Sequence, residues 1–290
     1  MHRLETFAIF LLCAAAVASQ GPAQPSNTAS PVVSTLLISA RAKDGSVELT
    51  TADLEIKEDG KPVQVQQVRK LGTWPLHYCV LFDSSNSERD RFDVQQDVAV
   101  RFLQQVARPG TDHGWLGLFS DEYVESNETD NPVNIIDNIR RIKPAGGTAL
   151  YDAIAMCARR MAGSSSGPPL RVMFLFSDGG DNSSRISLVG VIDAASRAGT
   201  RIYAFDTDNG HNSKGESVLK KMTEATGGRL FTPARAKDAD KLAAEVNSDL
   251  QNVFEVTYVP EVSRPDGRSA SIDVKCVRQG TTVLAPKRLY

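Results

Sequence analysis

Aromatic residues are scarce in this 290-residue chain, at 7%, and cysteine scarcer still, with four. No Cys-x-x-Cys pair occurs and none of the histidines has a partner at ligand spacing, which excludes a zinc-ribbon or dithiol redox site. Charge of one sign is also lacking: the formal net charge is -2, so the overall balance does not point to nucleic acid as the main partner. No apolar run approaches the roughly 20 residues that a membrane-crossing helix requires. What is present is 41% hydrophobic and 23% charged, the composition of a chain able to build a full core.

The longest apolar run, Phe7 to Ala18, follows His2 and Arg3 and ends among Ala16, Ala18 and Ser19. That pattern predicts a secretory leader over residues 1–19, and hence a secreted or periplasmic protein with no membrane-spanning segment after cleavage. Residues 20–31 are rich in Pro, Ser, Ala and Gln and read as a flexible linker. Beyond the leader three cysteines remain, Cys79, Cys157 and Cys276; the first two sit on apolar strand and helix positions, where free buried thiols and a bridge are both compatible with the pattern.

Three regions follow. Over 32–72, extended segments at Ser34–Ala42, Val47–Leu49, Leu54–Lys57 and Val63–Val68, with turn signals at Asp44-Gly45 and Asp59-Gly60, predict a small antiparallel β unit. Over 73–252, apolar strands at His77–Phe82, Trp115–Phe119, Arg171–Phe176 and Arg201–Phe205 alternate with stripes at helical spacing, such as Val94, Val98, Phe102 and Val106, or Leu150, Ile154, Cys157 and Met161. This alternation predicts an α/β fold, a doubly wound and mostly parallel sheet with helices on both faces. Over 253–290, alternation at Phe254, Val256 and Tyr258 and again at Ile272, Val274 and Cys276, around a Pro265-Asp266-Gly267 turn, predicts a β-hairpin able to join the N-terminal unit in one appended sheet.

In open parallel sheets ligands bind beyond the carboxyl ends of the strands, so the residues just after each strand matter most. Three such places offer hard oxygens: Asp83, Ser85 and Ser87 after the first strand; Thr148 after Gly146-Gly147; and Asp178 in Phe-Ser-Asp-Gly-Gly-Asp. Each alone is ordinary turn or cap chemistry. Together, two carboxylates and three hydroxyls suit a hard divalent cation, Mg²⁺ or Mn²⁺, that keeps part of its shell open for a carboxylate from another molecule.

The pattern Asp83-x-Ser85-x-Ser87, Thr148 after Gly-Gly, and Asp178 in Ser-Asp-Gly resembles the metal-ion-dependent adhesion site of von Willebrand factor A-type domains. The likeness extends over roughly Leu76 to Leu250, and Asp53–Pro62 with the closing β segment resembles a secreted, acidobacterial-type subgroup of these proteins. The resemblance implies that Ser85 and Ser87 bind the metal directly, that Thr148, Asp83 and Asp178 bind it directly or through water, and that the protein is an adhesion-type binding module rather than an enzyme. One departure stands out: Asn86 occupies a position where the family carries Gly, and the loop is expected to tolerate it because Asn accepts left-handed backbone geometry. Glu88 and Asp90 are expected to add negative charge at the rim of the site.

Two alternatives use the same loops. A phosphotransferase with Asp83 as nucleophile calls for a second carboxylate two residues on, where this chain has Ser85, and there is no Gly-x-Ser-x-Gly elbow. A structural envelope component with a non-exchanging metal is the other. Asp152 and Asp181 read as helix-surface and turn residues, His77, His113 and His211 as exposed or satisfied histidines, and the sequons at Asn127 and Asn182 as chance matches.

Overall fold

The computed structural model describes residues 33–290 except 43–44, 46, 164–169, 209–210, 234 and 262–267 and the side chains of Asp90 and Ala236. The expected leader, the linker, Asp44 and the Pro265-Asp266-Gly267 turn lie outside the described residues. The chain runs β1 (Ser34–Ala42), β2 (Leu54–Glu58), β3 (Lys61–Lys70), β4 (Leu76–Asp83), α1 (Phe92–Val106), β5 (His113–Phe119), β6 (Tyr123–Glu125), α2 (Pro132–Ile139) and α3 (Leu150–Gly163). It continues with β7 (Leu170–Ser177), α4 (Leu188–Arg197), β8 (Arg201–Asp206), α5 (Ser213–Thr226), β9 (Arg229–Phe231), α6 (Ala239–Gln251), β10 (Val253–Val259), β11 (Ala270–Cys276), β12 (Thr281–Leu284) and β13 (Arg288–Leu289).

The middle of the chain forms a six-stranded sheet in the order β6-β5-β4-β7-β8-β9. Its pairings are parallel except for β6, which runs antiparallel to β5. All eight residues of β4 are buried, which explains why the segment reads as an unbroken apolar run. Successive side chains go to opposite faces: Tyr78, Val80 and Phe82 pack with α1, α2 and α6, while Cys79 and Leu81 pack with α3, α4 and α5. From β4 the chain crosses to β5 over one face and later returns to β7 on the other side of β4 over the opposite face. The crevice created by that reversal lies at the carboxyl ends of β4 and β7.

The remaining strands form a seven-stranded sheet, β12-β1-β10-β3-β2-β11-β13, with its own apolar core of Leu36, Ile38, Ile56, Phe254, Val256 and Ile272 among others. Both ends of the chain contribute to it, and its pairings are antiparallel. β2 and β3 meet at Asp59-Gly60, whose φ values of 48° and 80° provide the left-handed pair that a two-residue hairpin turn demands.

Two expectations need correction here. The C-terminal segment is not a hairpin: β10 lies between β1 and β3, whereas β11 pairs with β2 and β13. Alternation marks each strand but carries no information about which strand it joins. Val47–Leu49 is not a strand either; Val47 and Leu49 are buried in the core of the seven-stranded sheet as irregular backbone. The short strands β6, β9, β12 and β13 carry too few residues to show a period.

Candidate metal centre

Asp83 ends β4, completely buried. Its Oδ1 accepts from the Ser85 amide at 3.0 Å and its Oδ2 from the Ser177 hydroxyl at 2.8 Å, so neither carboxylate oxygen is idle and the side chain is fixed across two adjacent strand ends. Ser85 caps a 3₁₀ helix over Asn86–Arg91, and its Oγ lies 2.8 Å from that of Ser87. Asn86 thus opens a right-handed turn, contrary to the left-handed geometry expected of it, and the exchange of Gly for Asn imposes no backbone strain there.

The glycine loop is laced to this turn. The Ala145 amide donates to the Ser84 carbonyl at 2.7 Å and the Asn86 amide to the Gly146 carbonyl at 3.1 Å. Gly146 has φ 81°, and a side chain on either Gly146 or Gly147 would collide with the Asp121 carboxylate. Thr148 is buried just ahead of α3, its amide donating to Asn182 Oδ1 at 3.0 Å and its carbonyl accepting from the Asn182 and Ser183 amides. Asn182 therefore has a positioning duty that the sequon reading did not anticipate. Asp181 and Asp152, read from the sequence as turn and helix-surface residues, clasp the loops: Asp181 accepts from the Tyr151 amide and the Ser184 hydroxyl, and Asp152 from the amides of Arg185 and Ile186.

Asp178 follows β7, with Oδ1 accepting from the Gly180 amide at 2.7 Å. Its backbone packs so tightly on Gly215, near the start of α5, that a Cβ at Gly179 or Gly215 would run into the opposing carbonyl. Carboxylate oxygens of Asp83 and Asp178 lie within 4.8 Å of each other and of a third, that of Glu88. The expectation that Glu88 stands at the rim is therefore wrong. In the 3₁₀ helix Glu88 falls one turn after Ser85, its amide donating to the Ser85 carbonyl at 3.2 Å, and its side chain is buried, with 3% exposure. The Asp90 side chain lies outside the described residues.

None of the three carboxylates forms an ion pair among the described residues. The nearby guanidinium of Arg91 is engaged with Asp208. Burial pushes Asp83 up to about 6 against the hydrogen bonds from Ser85 and Ser177, and burial together with the Asp83 charge pushes Glu88 up to about 8. Burying an uncompensated carboxylate is unfavourable by several kcal/mol. Hard oxygen donors, converging negative charge and the lack of an internal cation together fit a divalent ion. The structure brings Asp83, Ser85, Ser87 and Asp178 into one cluster and sets Thr148 on the loop bonded to it. From the sequence Glu88 is expected only at the rim and Ser177 has no assigned role; adjacency to Asp178 and the three-residue step from Ser85 were the available signals.

Elsewhere, His77 is buried and faces Glu128 at 3.3 Å, His113 and His211 are exposed, and among the described residues Cys79, Cys157 and Cys276 are free, the first two fully buried. Among the described residues no helix is long and apolar enough to cross a membrane.

Comparison with known proteins agrees with this architecture. Residues 78–181 match the family model of the von Willebrand factor type A domain. Among solved structures, the three N-terminal domains of the type V pili tip protein Mfa5 from Porphyromonas gingivalis superpose with a TM-score of 0.51 at 14% identity, covering 78% of this chain and 57% of that one. An aerotolerance-related membrane protein from Bacteroides fragilis gives 0.49 at 16% identity, over 60% of this chain and 98% of that chain. A von Willebrand factor type A structure from Catenulispora acidiphila gives 0.48 at 11%, over 91% and 74%. Among curated proteins none matches. The α/β part of the chain has a von Willebrand factor A-like fold, and residues 78–181 carry the sequence match to that domain.

Proposed function

We propose that the loops after β4 and β7, with the glycine loop between them, hold one Mg²⁺ or Mn²⁺ ion through Asp83, Ser85, Ser87, Thr148 and Asp178, and that the protein is a secreted or periplasmic binding module of the adhesion type. Its partner is a protein that presents an Asp or Glu side chain to the ion. When bound, the ion supplies a positive centre with an exchangeable position; the chain's residues hold it, set its net charge and exclude bulk water from its inner side.

The observation that carries this reading is the convergence of Asp83, Glu88 and Asp178 within 4.8 Å without an ion-pair partner among the described residues. The domain match over 78–181 supports it, since such domains are often interaction modules. So does the resemblance of the flanking segments to a secreted subgroup. Among the described residues the cluster around Asp83 is made of carboxylates and holds no histidine, which favours binding over hydrolysis.

The test is capture of proteins from extracellular or envelope fractions on immobilised protein, with and without chelator, beside an Asp83→Ala variant. Capture that needs the metal and Asp83 supports the reading. Capture indifferent to both removes it, and capture that resists chelator but fails in Asp83→Ala favours the structural, non-exchanging metal.

A further inference from the structure

We infer that Glu88 is a third carboxylate ligand of the ion, and that a partner's acidic side chain must displace it to bind. This rests on the metal-centre reading above and adds to it a residue outside the five-residue pattern.

Four observations converge on Glu88. The 3₁₀ helix over Asn86–Arg91 has three residues per turn, so Glu88 eclipses Ser85 and shares the face that Ser85 presents to the cluster. The Glu88 carboxylate approaches those of Asp83 and Asp178 within the 4.8 Å that one ion spans. It is buried with 3% exposure, at a depth where solvent does not compensate a charge, and has no ion-pair partner among the described residues. Beside it lies the Thr207 hydroxyl, also buried and close against the Glu88 carboxylate, a neutral neighbour that brings no positive charge to offset it.

The charge arithmetic then differs from that of the five-residue set. Asp83 and Asp178 neutralise a divalent ion; Glu88 takes the centre to one net negative charge. An incoming carboxylate meets that excess, and a third resident carboxylate also tightens the hold on the ion. Glu88 thereby trades retention of the metal against capture of an acid, and its removal is expected to move the two in opposite directions. A side chain that merely filled space would not give that signature.

The experiment uses the full chain with Mn²⁺ as probe, measuring uptake by calorimetry and the number of metal-bound waters by proton relaxation, with acetate as the competing acid. Two variants are compared, Glu88→Gln, which keeps the shape, and Glu88→Met, which keeps the apolar contacts; near-ultraviolet circular dichroism verifies folding, and either folded variant decides the question. The expected result is Mn²⁺ affinity lower by about ten-fold, a bound ion with more water than in the native protein, and displacement of that water at lower acetate concentration. Native affinity and native hydration in the folded variants would overturn the role of Glu88 alone. Native protein that takes up no Mn²⁺ overturns the metal centre and this inference with it.

Discussion

The Ser177 hydroxyl donates to Asp83 Oδ2 at 2.8 Å, joining the ends of β4 and β7 across the floor of the candidate metal centre. The same Oγ accepts from the Gly179 amide at 3.1 Å, so a single hydroxyl orients both the Asp83 carboxylate and the turn that carries Asp178. Removing it in Ser177→Ala leaves a buried carboxylate oxygen without its donor. Partners that orient a ligand are worth roughly 10–100-fold in metal affinity, and Mn²⁺ binding by calorimetry is expected to weaken within that range while the fold persists. Affinity equal to native would show that Ser177 only packs.

Protons compete with the ion. Asp83 is raised to about 6 and Glu88 to about 8, in both cases first by burial. An acid raised in the folded state holds its proton more tightly there than in the unfolded chain. The contribution of these two acids to the stability of the metal-free protein is therefore fully present below the ordinary carboxylate range and is lost as pH rises through about 6 and then about 8. Mg²⁺ must find the carboxylates ionised, so the rise in melting temperature on adding Mg²⁺ is expected to be larger at about pH 8.5 than at about pH 5.5. Thermal melts at the two pH values check this, and an equal rise at both contradicts it.

Gly179 has φ 75°, and its Cα faces the Gly215 carbonyl with no room for a methyl group. Gly179→Ala combines an unfavourable backbone region with a backbone collision, and strain of this sort is worth about 1–3 kcal/mol. Both a lower melting temperature and weaker Mn²⁺ uptake are expected, because the strained turn carries Asp178. Gly190→Ala is the control: a Cβ there meets its nearest neighbour at 3.6 Å and leaves the metal loops untouched.

Asp249 on α6 is fully buried between Arg41 of β1 and Arg229 of β9, the latter at 3.5 Å, and ties the two sheets through one carboxylate. Asp249→Ala leaves both guanidinium groups without that partner, a loss on the order of 3 kcal/mol. Chemical denaturation should report it, with Mn²⁺ affinity unaltered in the fraction that is folded.

The legible part of the sequence was local. The β4 strand and its abrupt change from apolar residues to Asp83, Ser85 and Ser87 could be read directly, because burial on both faces and a turn leave their mark on consecutive residues. Glu88 was not legible in the same way. An acidic residue in the first turn of a helix is an ordinary partner for free amides, and only a 3₁₀ rather than an α-helical turn puts it beneath Ser85. Strand pairing was hidden for another reason: Val256 and Val274 alternate equally well whether β10 and β11 face each other or, as found, lie on opposite sides of β2 and β3. Val47 and Leu49 have strand-like composition, but pairing requires a partner edge, and they contribute apolar side chains without one.

Anomalous diffraction from crystals soaked in Mn²⁺ tests the central claim most directly. The account predicts one peak among Asp83, Ser85, Ser87, Thr148 and Asp178, with oxygens at about 2.0–2.6 Å, absent in Asp83→Ala. A well-ordered soaked crystal with those side chains in place and no peak among them would contradict it.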